Sequence, residues 1–157
     1  MCCVKHLPAL FPLHLGDMSI TTMIKSIQDI MRQDVGVDGD AQRISQLAWL
    51  LFLKILDDKE QEWAFAGNYT SPIPEAYRWS AWAKDPEGMT GETLMAFVNG
   101  ELFPALKELR NTTLTPQAAV IASVFEDAYN YMKSGTLLRQ VINVIEKDLD
   151  LNRSEDR

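Results

Sequence analysis

Residues 47–56 read LAWLLFLKIL, and this stretch decides the fold because Lys54 is its only polar side chain. Apolar residues within it and just before it recur at the three- and four-residue steps that make one helical face. That face consists of Ile44, Leu47, Ala48, Leu51, Ile55 and Leu56. Four further apolar residues widen it: Trp49, Leu50, Phe52 and Leu53. The pattern predicts a central helix over about residues 40–63 that contacts protein on more than one side.

The residues flanking this helix predict where it begins and ends. Asp38 or Asp40 is expected to cap its start by accepting a bond from a free backbone N–H group. Gly67 follows the polar run at residues 57–62 and is expected to end the helix.

Four other segments show helical periodicity, at about residues 22–34, 90–109, 116–134 and 136–149. Pro104 lies inside the second of them and predicts a kink or two abutting helices, because proline lacks a backbone donor. Thr115 and Pro116 are a favourable capping pair for the third. Gly135 is expected to end that helix, and Thr136 is expected to cap the last one.

An aromatic-rich loop separates the second and third main helices, over about residues 66–89. It contains many turn formers and one candidate short helix around residues 75–83. Sustained two-residue alternation is absent from the sequence. The predicted fold is therefore all-α, a compact bundle of about five main helices with this loop between the second and third.

Length and charge limit the functional classes. The chain has 157 residues, 46% of them apolar, which suits one domain with one core. Its net charge of −7 gives no overall attraction to nucleic acid or anionic lipid. Apolar runs fall well short of the roughly 20 residues needed to span a bilayer. We expect no membrane contact and a cytoplasmic protein.

The sequence divides into three parts. Residues 1–17 hold both cysteines and both histidines and read as a doubtful leader, either disordered or a mis-called start. Residues 18–151 form the predicted helical domain. Residues 152–157 are polar and aperiodic, and we interpret them as the start of a linker to an absent catalytic domain.

Catalytic chemistry has few candidate residues after the leader. Without histidine or cysteine there, nucleophile–base pairs and His/Cys metal sites have no partners. Phosphate-binding glycine motifs are also missing from the sequence. We therefore predict no catalytic residue, no cofactor-binding residue and no metal ligand in this chain.

The acidic run at residues 57–62 is the remaining candidate for a metal site. Asp58 and Glu62 would share a helix face and could hold a hard cation. Lys54 and Lys59 are placed for helix-surface ion pairs instead, which favours a solvated face.

An aromatic and basic cluster is the best local candidate for a contact with a partner or DNA. Its residues are Tyr77, Arg78, Trp79, Trp82 and Lys84. Tryptophan and arginine concentrate binding energy at interfaces and can stack on nucleotides. The alternative, which we favour, is that the two tryptophans plug the edge of the core while the two cationic side chains stay solvated.

Five segments in order give the chain a family resemblance. They are the nine residues from Asp38 (DGDAQRISQ), residues 50–57 (LLFLKILD), residues 77–80 (YRWS), residues 101–106 (ELFPAL) and residues 124–127 (VFED). Together they resemble the N-terminal helical domain of type I restriction-modification DNA methyltransferase modification (M) subunits. The likeness covers about residues 23–150.

The resemblance implies a non-catalytic role in assembly. In that family an α/β domain follows the helical domain, binds S-adenosylmethionine and methylates adenine N6 through an Asn-Pro-Pro motif that this chain lacks. The implied partners are the specificity (S) subunit, a second M subunit, the restriction (R) subunit and, through the assembled complex, DNA. Uncovered apolar surface would also favour a homo-oligomer of the fragment.

Two other functional classes remain as alternatives. A self-contained helical adaptor or DNA-binding regulator would need a recognition helix with several basic and amide residues on one exposed face, and none of the five shows it convincingly. A small carboxylate-dependent hydrolase would need acidic residues from separate helices to converge in one pocket.

Overall fold

The computed structural model describes residues 14–112 and 114–149, with side chains from residue 20 onward. These ranges are helical and contain no strand, which confirms the all-α prediction, and five of the helices have seven residues or more. The helices are α1 His14–Met31, α2 Asp40–Ala66, α3 Trp79–Trp82, α4 Gly91–Phe97, α5 Phe103–Lys107, α6 Leu109–Thr112, α7 Pro116–Glu126 and α8 Gly135–Asp148. A 3₁₀ turn, Glu75–Tyr77, precedes α3, and a π-helical turn, Val98–Leu102, joins α4 to α5. None of the described helices is long and apolar enough to cross a membrane.

Helix α1 begins at His14, earlier than the predicted start near residue 22. Its buried residues Met23, Ile27 and Met31 follow the helical period. Residues 1–13 of the predicted leader and the predicted linker at 152–157 lie outside the described residues.

Helix α2 is capped by a different device from the one predicted. Gly39 is the N-cap residue, and the Gln42 side chain reaches back to accept from the backbone N–H groups of Asp38 and Gly39. Neither Asp38 nor Asp40 caps the helix through its side chain, so that prediction was wrong. Gly67 ends the helix as expected.

The buried face of α2 is not the predicted one. Its buried residues are Gln46, Trp49, Leu50, Leu53, Lys54, Asp57, Asp58 and Glu60. Of the predicted face, Ile44, Ala48 and Ile55 are exposed. The reason is aromatic packing: Trp49 meets Phe103 with ring centroids 4.8 Å apart and Phe125 at 6.4 Å, which turns the tryptophan side of α2 inward.

The irregularity predicted at Pro104 is present as a π-helical turn. Residues on both sides keep helical backbone angles, and Pro104 lies in the first turn of α5. In the first turn of a helix the backbone N–H groups have no intrahelical acceptor, so the N–H that proline lacks removes no helical hydrogen bond. The turn lets Leu94, Val98, Leu102 and Leu106 all remain buried.

Helix α7 ends at Glu126, so the predicted extension to residue 134 was wrong. Residues 127–134 are instead held by side chains from distant segments. The Asp34 carboxylate accepts from the backbone N–H groups of Lys133 and Ser134 at 2.9–3.0 Å, and Gln46 Oε1 accepts from Tyr131 N at 2.7 Å. These side-chain hydrogen bonds take the place of the backbone hydrogen bonds that a continued helix would form.

The start of α8 also differs from the prediction. Ser134 rather than Thr136 is its N-cap, since its hydroxyl accepts from Leu137 N at 3.1 Å. Gly135 lies in the first turn of α8 and does not end the preceding helix. An added Cβ at Gly135 would lie 1.8 Å from the carbonyl oxygen of Gly91, so glycine is required where α8 approaches the start of α4.

Helix α8 packs against α1, α2 and α4 and ties the aromatic loop to the bundle. Arg139 on α8 is only 5% exposed, and burial lowers the pKa of its guanidinium. Its nitrogens donate to four backbone carbonyls at 2.7–3.1 Å, those of Trp82, Ala83, Asp85 and Met89. The fold therefore fixes the loop that contains the predicted contact cluster.

Candidate interaction surfaces

The two tryptophans of the predicted contact cluster lie in the core. Trp79 is 2% exposed and Trp82 is 5% exposed. The Trp79 indole N–H donates to Glu146 Oε1 at 2.8 Å, and the Trp82 indole N–H donates to the Tyr77 carbonyl at 3.2 Å. Their rings pack edge to face at 5.4 Å. Both rings therefore pack in the core, as the alternative interpretation of the sequence had it, and contact of either with a partner stays a prediction.

The other three residues of that cluster are more accessible. Tyr77 is half-buried against the Phe97 ring, and Arg78 is half-buried with Nε donating to the Ile73 carbonyl at 2.8 Å. Lys84 is exposed. Half-burial of Arg78 departs from the expectation that it stays solvated. Contact of Arg78 and Lys84 with DNA or a partner stays a prediction.

The outer side of α2 carries an apolar stripe, made of Ile44, Ala48, Leu51 and Ile55. Successive members are three or four residues apart, so they lie on one side of the helix, opposite Trp49 and Leu53. Ile44 is 64% exposed and Ile55 is 38% exposed. All four residues belong to the face that the sequence predicted to be buried. Helix α2 is thus apolar on two opposite sides, and within the described residues only the Trp49 side is fully covered.

The charged half of α2 is buried, so the prediction of a solvated acidic face was wrong. Lys54, Asp57, Asp58 and Glu60 are each 4–6% exposed. Lys54 Nζ lies 3.1 Å from Asp58 Oδ1 and 3.3 Å from Glu146 Oε1 on α8. Of the two predicted surface lysines, Lys59 alone makes an exposed pair, with Glu62 at 3.8 Å.

Hydroxyl groups from the aromatic loop satisfy the next carboxylate along α2. Tyr69 Oη donates to Glu60 Oε2 at 2.7 Å, and Ser71 Oγ donates to the same carboxylate at 2.9 Å. Burial, together with the neighbouring Glu60 carboxylate, raises the pKa of Tyr69. The loop therefore stays attached to α2 through neutral donors at this point.

The buried charges of α2 and the groups that bind them line a polar groove between α2, the aromatic loop and α8. The sequence analysis did not predict this groove, although the sequence held a signal for it. The helical period that buries Trp49, Leu50 and Leu53 continues through Lys54, Asp57 and Glu60. Following the period past the first charged residue would have placed these carboxylates inside. Within the described ranges no three His, Cys, Asp or Glu side chains cluster closely enough to hold a metal ion.

The family model described as the HsdM N-terminal domain matches residues 20–145. The chain belongs to the HsdM N-terminal domain family. The match confirms the resemblance carried by the five sequence segments.

One curated relative of this HsdM domain is the type I restriction enzyme EcoEI methylase subunit of Escherichia coli. The two are 54% identical over 142 residues, which is 89% of this chain and 29% of the relative. The HsdM domain described here thus spans less than a third of that protein.

Two solved structures share the fold. One is a modification subunit from Vibrio vulnificus YJ016 assigned to a type I restriction enzyme, with a TM-score of 0.77 and 31% identity over 88% of this chain and 32% of that chain. The other comes from work on complex assembly and conformational transition of the type I restriction-modification system, with a TM-score of 0.72 and 33% identity over 85% of this chain and 26% of that one. The HsdM fold is therefore shared with components of type I systems.

Proposed function

We propose that this chain is the docking domain of a type I modification subunit, a non-catalytic part that holds the catalytic part of the subunit in a complex around DNA. The observation that carries the proposal is the apolar stripe of α2, whose Ile44 and Ile55 are exposed. The family match and the assembly described for one structural neighbour support it.

The stripe has the features of a protein contact. From residue 44 to residue 56 the exposed and half-buried positions of α2 hold no charge, because Lys54 is buried. These positions are Ile44, Ser45, Leu47, Ala48, Leu51, Phe52, Ile55 and Leu56. Interface cores are depleted of charged residues, and contiguous exposed apolar surface commonly marks a binding site.

We assign the catalytic part of the same modification subunit as the occupant of the stripe. In the Escherichia coli relative, the region that matches this chain is 29% of the protein. The larger remaining part of that relative is therefore joined to the matching region in one chain. Domains joined in one chain commonly share an interface of roughly 600–1,500 Å².

The remaining partners follow the family. We propose contacts with the specificity subunit, a second modification subunit and the restriction subunit, and contact with DNA through the assembled complex. S-adenosylmethionine and adenine N6 methylation belong to the catalytic part, since no residue of this chain matches the Asn-Pro-Pro motif.

The stripe is tested in a chimera, the EcoEI methylase subunit with residues 20–145 of this chain in place of its own matching region. Ile44→Asp combined with Ile55→Asp should release this domain from the catalytic part, because two charges would be buried without partners, and the misplaced domain should then weaken assembly with the specificity subunit at least about 30-fold. Sedimentation velocity measures the assembly, and thermal unfolding of the 157-residue chain carrying the same changes should stay near that of the parent.

Val120→Asp serves as the matched control, because Val120 is 57% exposed and lies on α7. We expect it to leave assembly within about threefold of the parent chimera. Equal assembly of the double variant and the parent would remove the α2 stripe as the docking surface.

Lys84 is the accessible member of the predicted contact cluster and a candidate for contact with DNA. Lys84→Glu in the chimera should weaken DNA binding about threefold to tenfold at low salt, with a smaller effect at high salt, because the contact is electrostatic. Fluorescence anisotropy with a duplex carrying the target site measures the change. Unchanged affinity at low salt would exclude Lys84 from the DNA contact.

A further inference from the structure

The segment that joins α7 to α8 presents its side chains alternately to the core and to solvent. Asn130 and Met132 are 5% and 0% exposed, whereas Tyr129 is 55% exposed. This alternation is that of an extended chain, so the odd-numbered residues share the outer side. With the exposed carboxylate at the end of α7, these residues form a surface that we call the tyrosine face: Asp127, Tyr129, Tyr131 and Lys133.

Buried polar side chains fix the inner side of this segment. Gln46 accepts from Tyr131 N at 2.7 Å and donates to the Asn130 side chain at 2.8 Å. Asn130 in turn donates to Asn99 Oδ1 at 3.1 Å. The Asp34 carboxylate holds the end of the segment through two backbone N–H groups. The tyrosine face is therefore ordered before any partner arrives, which lowers the entropic cost of binding.

The outer side chains contact one another but leave their charges free. The rings of Tyr129 and Tyr131 pack edge to face with centroids 4.9 Å apart, and Lys133 Nζ lies 5.9 Å from the Tyr129 centroid. In the part of the chain that the structure describes, neither Lys133 nor Asp127 forms an ion pair. Each charge can therefore pair with an opposite charge on another molecule.

The order of these side chains makes the tyrosine face complementary to itself. It reads carboxylate, tyrosine, tyrosine, ammonium at two-residue steps, and its centre is residue 130. A two-fold axis through that centre would run two copies of the segment antiparallel. Each Asp127 would then oppose the Lys133 of the other copy, and each tyrosine would oppose the other tyrosine. Contacts about a two-fold axis occur twice, so both ion pairs would form together.

The tyrosine face and the α2 stripe can be occupied at the same time. Gln46, which binds the segment, lies two positions from both Ile44 and Ala48. At 3.6 residues per turn, such positions lie on nearly opposite sides of a helix. A catalytic part on the stripe would therefore leave the tyrosine face open. DNA suits this face less well, because Asp127 and the net charge of −7 repel phosphate.

We infer that the tyrosine face forms a two-fold contact between two copies of this domain. The inference rests on the proposed function for one point, that two modification subunits enter one complex. Four side chains per copy cover less than the roughly 800 Å² per partner of a standard interface, so the contact is weak between free domains. Within one complex, tethering raises the effective concentration to about the millimolar range, which is enough to fill a weak contact.

Self-association of the 157-residue chain tests this contact. Sedimentation equilibrium at up to about 1 mM covers the affinity expected for so small an interface. Asp127→Lys gives the face a cation at both ends, and Lys133→Asp gives it a carboxylate at both ends. Each variant alone should self-associate at least about tenfold more weakly than the parent, because both ion pairs become repulsive. An equal mixture of the two should associate within about threefold of the parent, since both pairs are attractive in the mixed dimer.

Two further variants separate the face from general charge and folding effects. Asp148→Lys makes the same charge change at the exposed end of α8 and should leave self-association within about twofold of the parent. Tyr129→Ala keeps every charge and should weaken self-association about tenfold, because a central aromatic contact is lost twice. Thermal unfolding by circular dichroism checks that each variant is folded.

The α2 stripe is the competing surface for self-association. The series is therefore repeated with Ile44→Asp and Ile55→Asp also present, and we expect the same loss and the same recovery. Association that disappears with the stripe changes and ignores the charge reversals would overturn the inference. So would a mixture that does not recover, or a parent chain that stays monomeric up to about 1 mM. These failures leave assembly of the chimera with the specificity subunit unchanged, so they are distinct from failure of the proposed function.

Discussion

Replacing Arg139 with methionine is expected to lower the free energy of unfolding by about 3–5 kcal/mol. Methionine keeps much of the side-chain length, but it leaves four backbone carbonyls without their donor. Those carbonyls belong to the end of the aromatic loop, so the loop should detach from α8 before the rest of the domain unfolds. Urea denaturation followed by tryptophan fluorescence measures the loss.

Arg110→Met is the matched control for this change. Arg110 is about half exposed, and its closest carboxylate, on Glu126, is 3.6 Å away. An exposed pair of this kind contributes little, so the control should stay within about 0.5 kcal/mol of the parent. If both arginine variants unfold at the same urea concentration, Arg139 does not hold the loop.

Gly135→Ala should destabilise the domain by about 3 kcal/mol, which is at the upper end for overpacking a close contact. The new Cβ would lie 1.8 Å from the Gly91 carbonyl oxygen and 2.8 Å from Gly91 Cα. Gly91 has a positive φ of 58°, a backbone conformation that glycine adopts readily and other residues rarely do. The starts of α4 and α8 would have to separate. Differential scanning calorimetry should show a lower Tm.

The substitution Gly100→Ala should instead raise the stability of the domain. Gly100 lies in the π-helical turn, and outside its own helical backbone and chain neighbours no atom lies within 4 Å of an added Cβ. Alanine there should stabilise by about 0.4–1 kcal/mol, because it restricts the unfolded chain. A Gly135→Ala protein as stable as Gly100→Ala would show that α8 does not depend on contact with Gly91.

Helical periodicity predicted the fold class well, because most of the described chain buries residues at helical spacing. The irregularity near Pro104 was also predicted, since proline lacks the backbone N–H that a helix interior requires. Helical periodicity failed at the end of α7, where Asp34 and Gln46 hold residues 131–134 through bonds that span 85–100 residues of sequence. A local pattern carries no information about such partners.

The orientation of α2 shows the same limit for the candidate sites. When a helix is apolar on two sides, its sequence alone does not show which side packs into the core. Trp49 decides it through Phe103 and Phe125, which come from distant segments. The polar groove beside Asp58 also needs Glu146 from α8, 88 positions later in the printed sequence. Helical periodicity therefore identified the apolar residues of the α2 stripe but not their exposure, and it did not place Glu146 beside the α2 carboxylates.

The most direct measurement of the docking role is whether the chimera of this domain and the EcoEI methylase subunit assembles. Sedimentation velocity with the specificity subunit, at a series of concentrations, gives the affinity. We predict a complex with an affinity within about tenfold of that of the unaltered EcoEI subunit, given 54% identity over the exchanged region. A chimera that is folded by circular dichroism and yet forms no complex would contradict the proposed function.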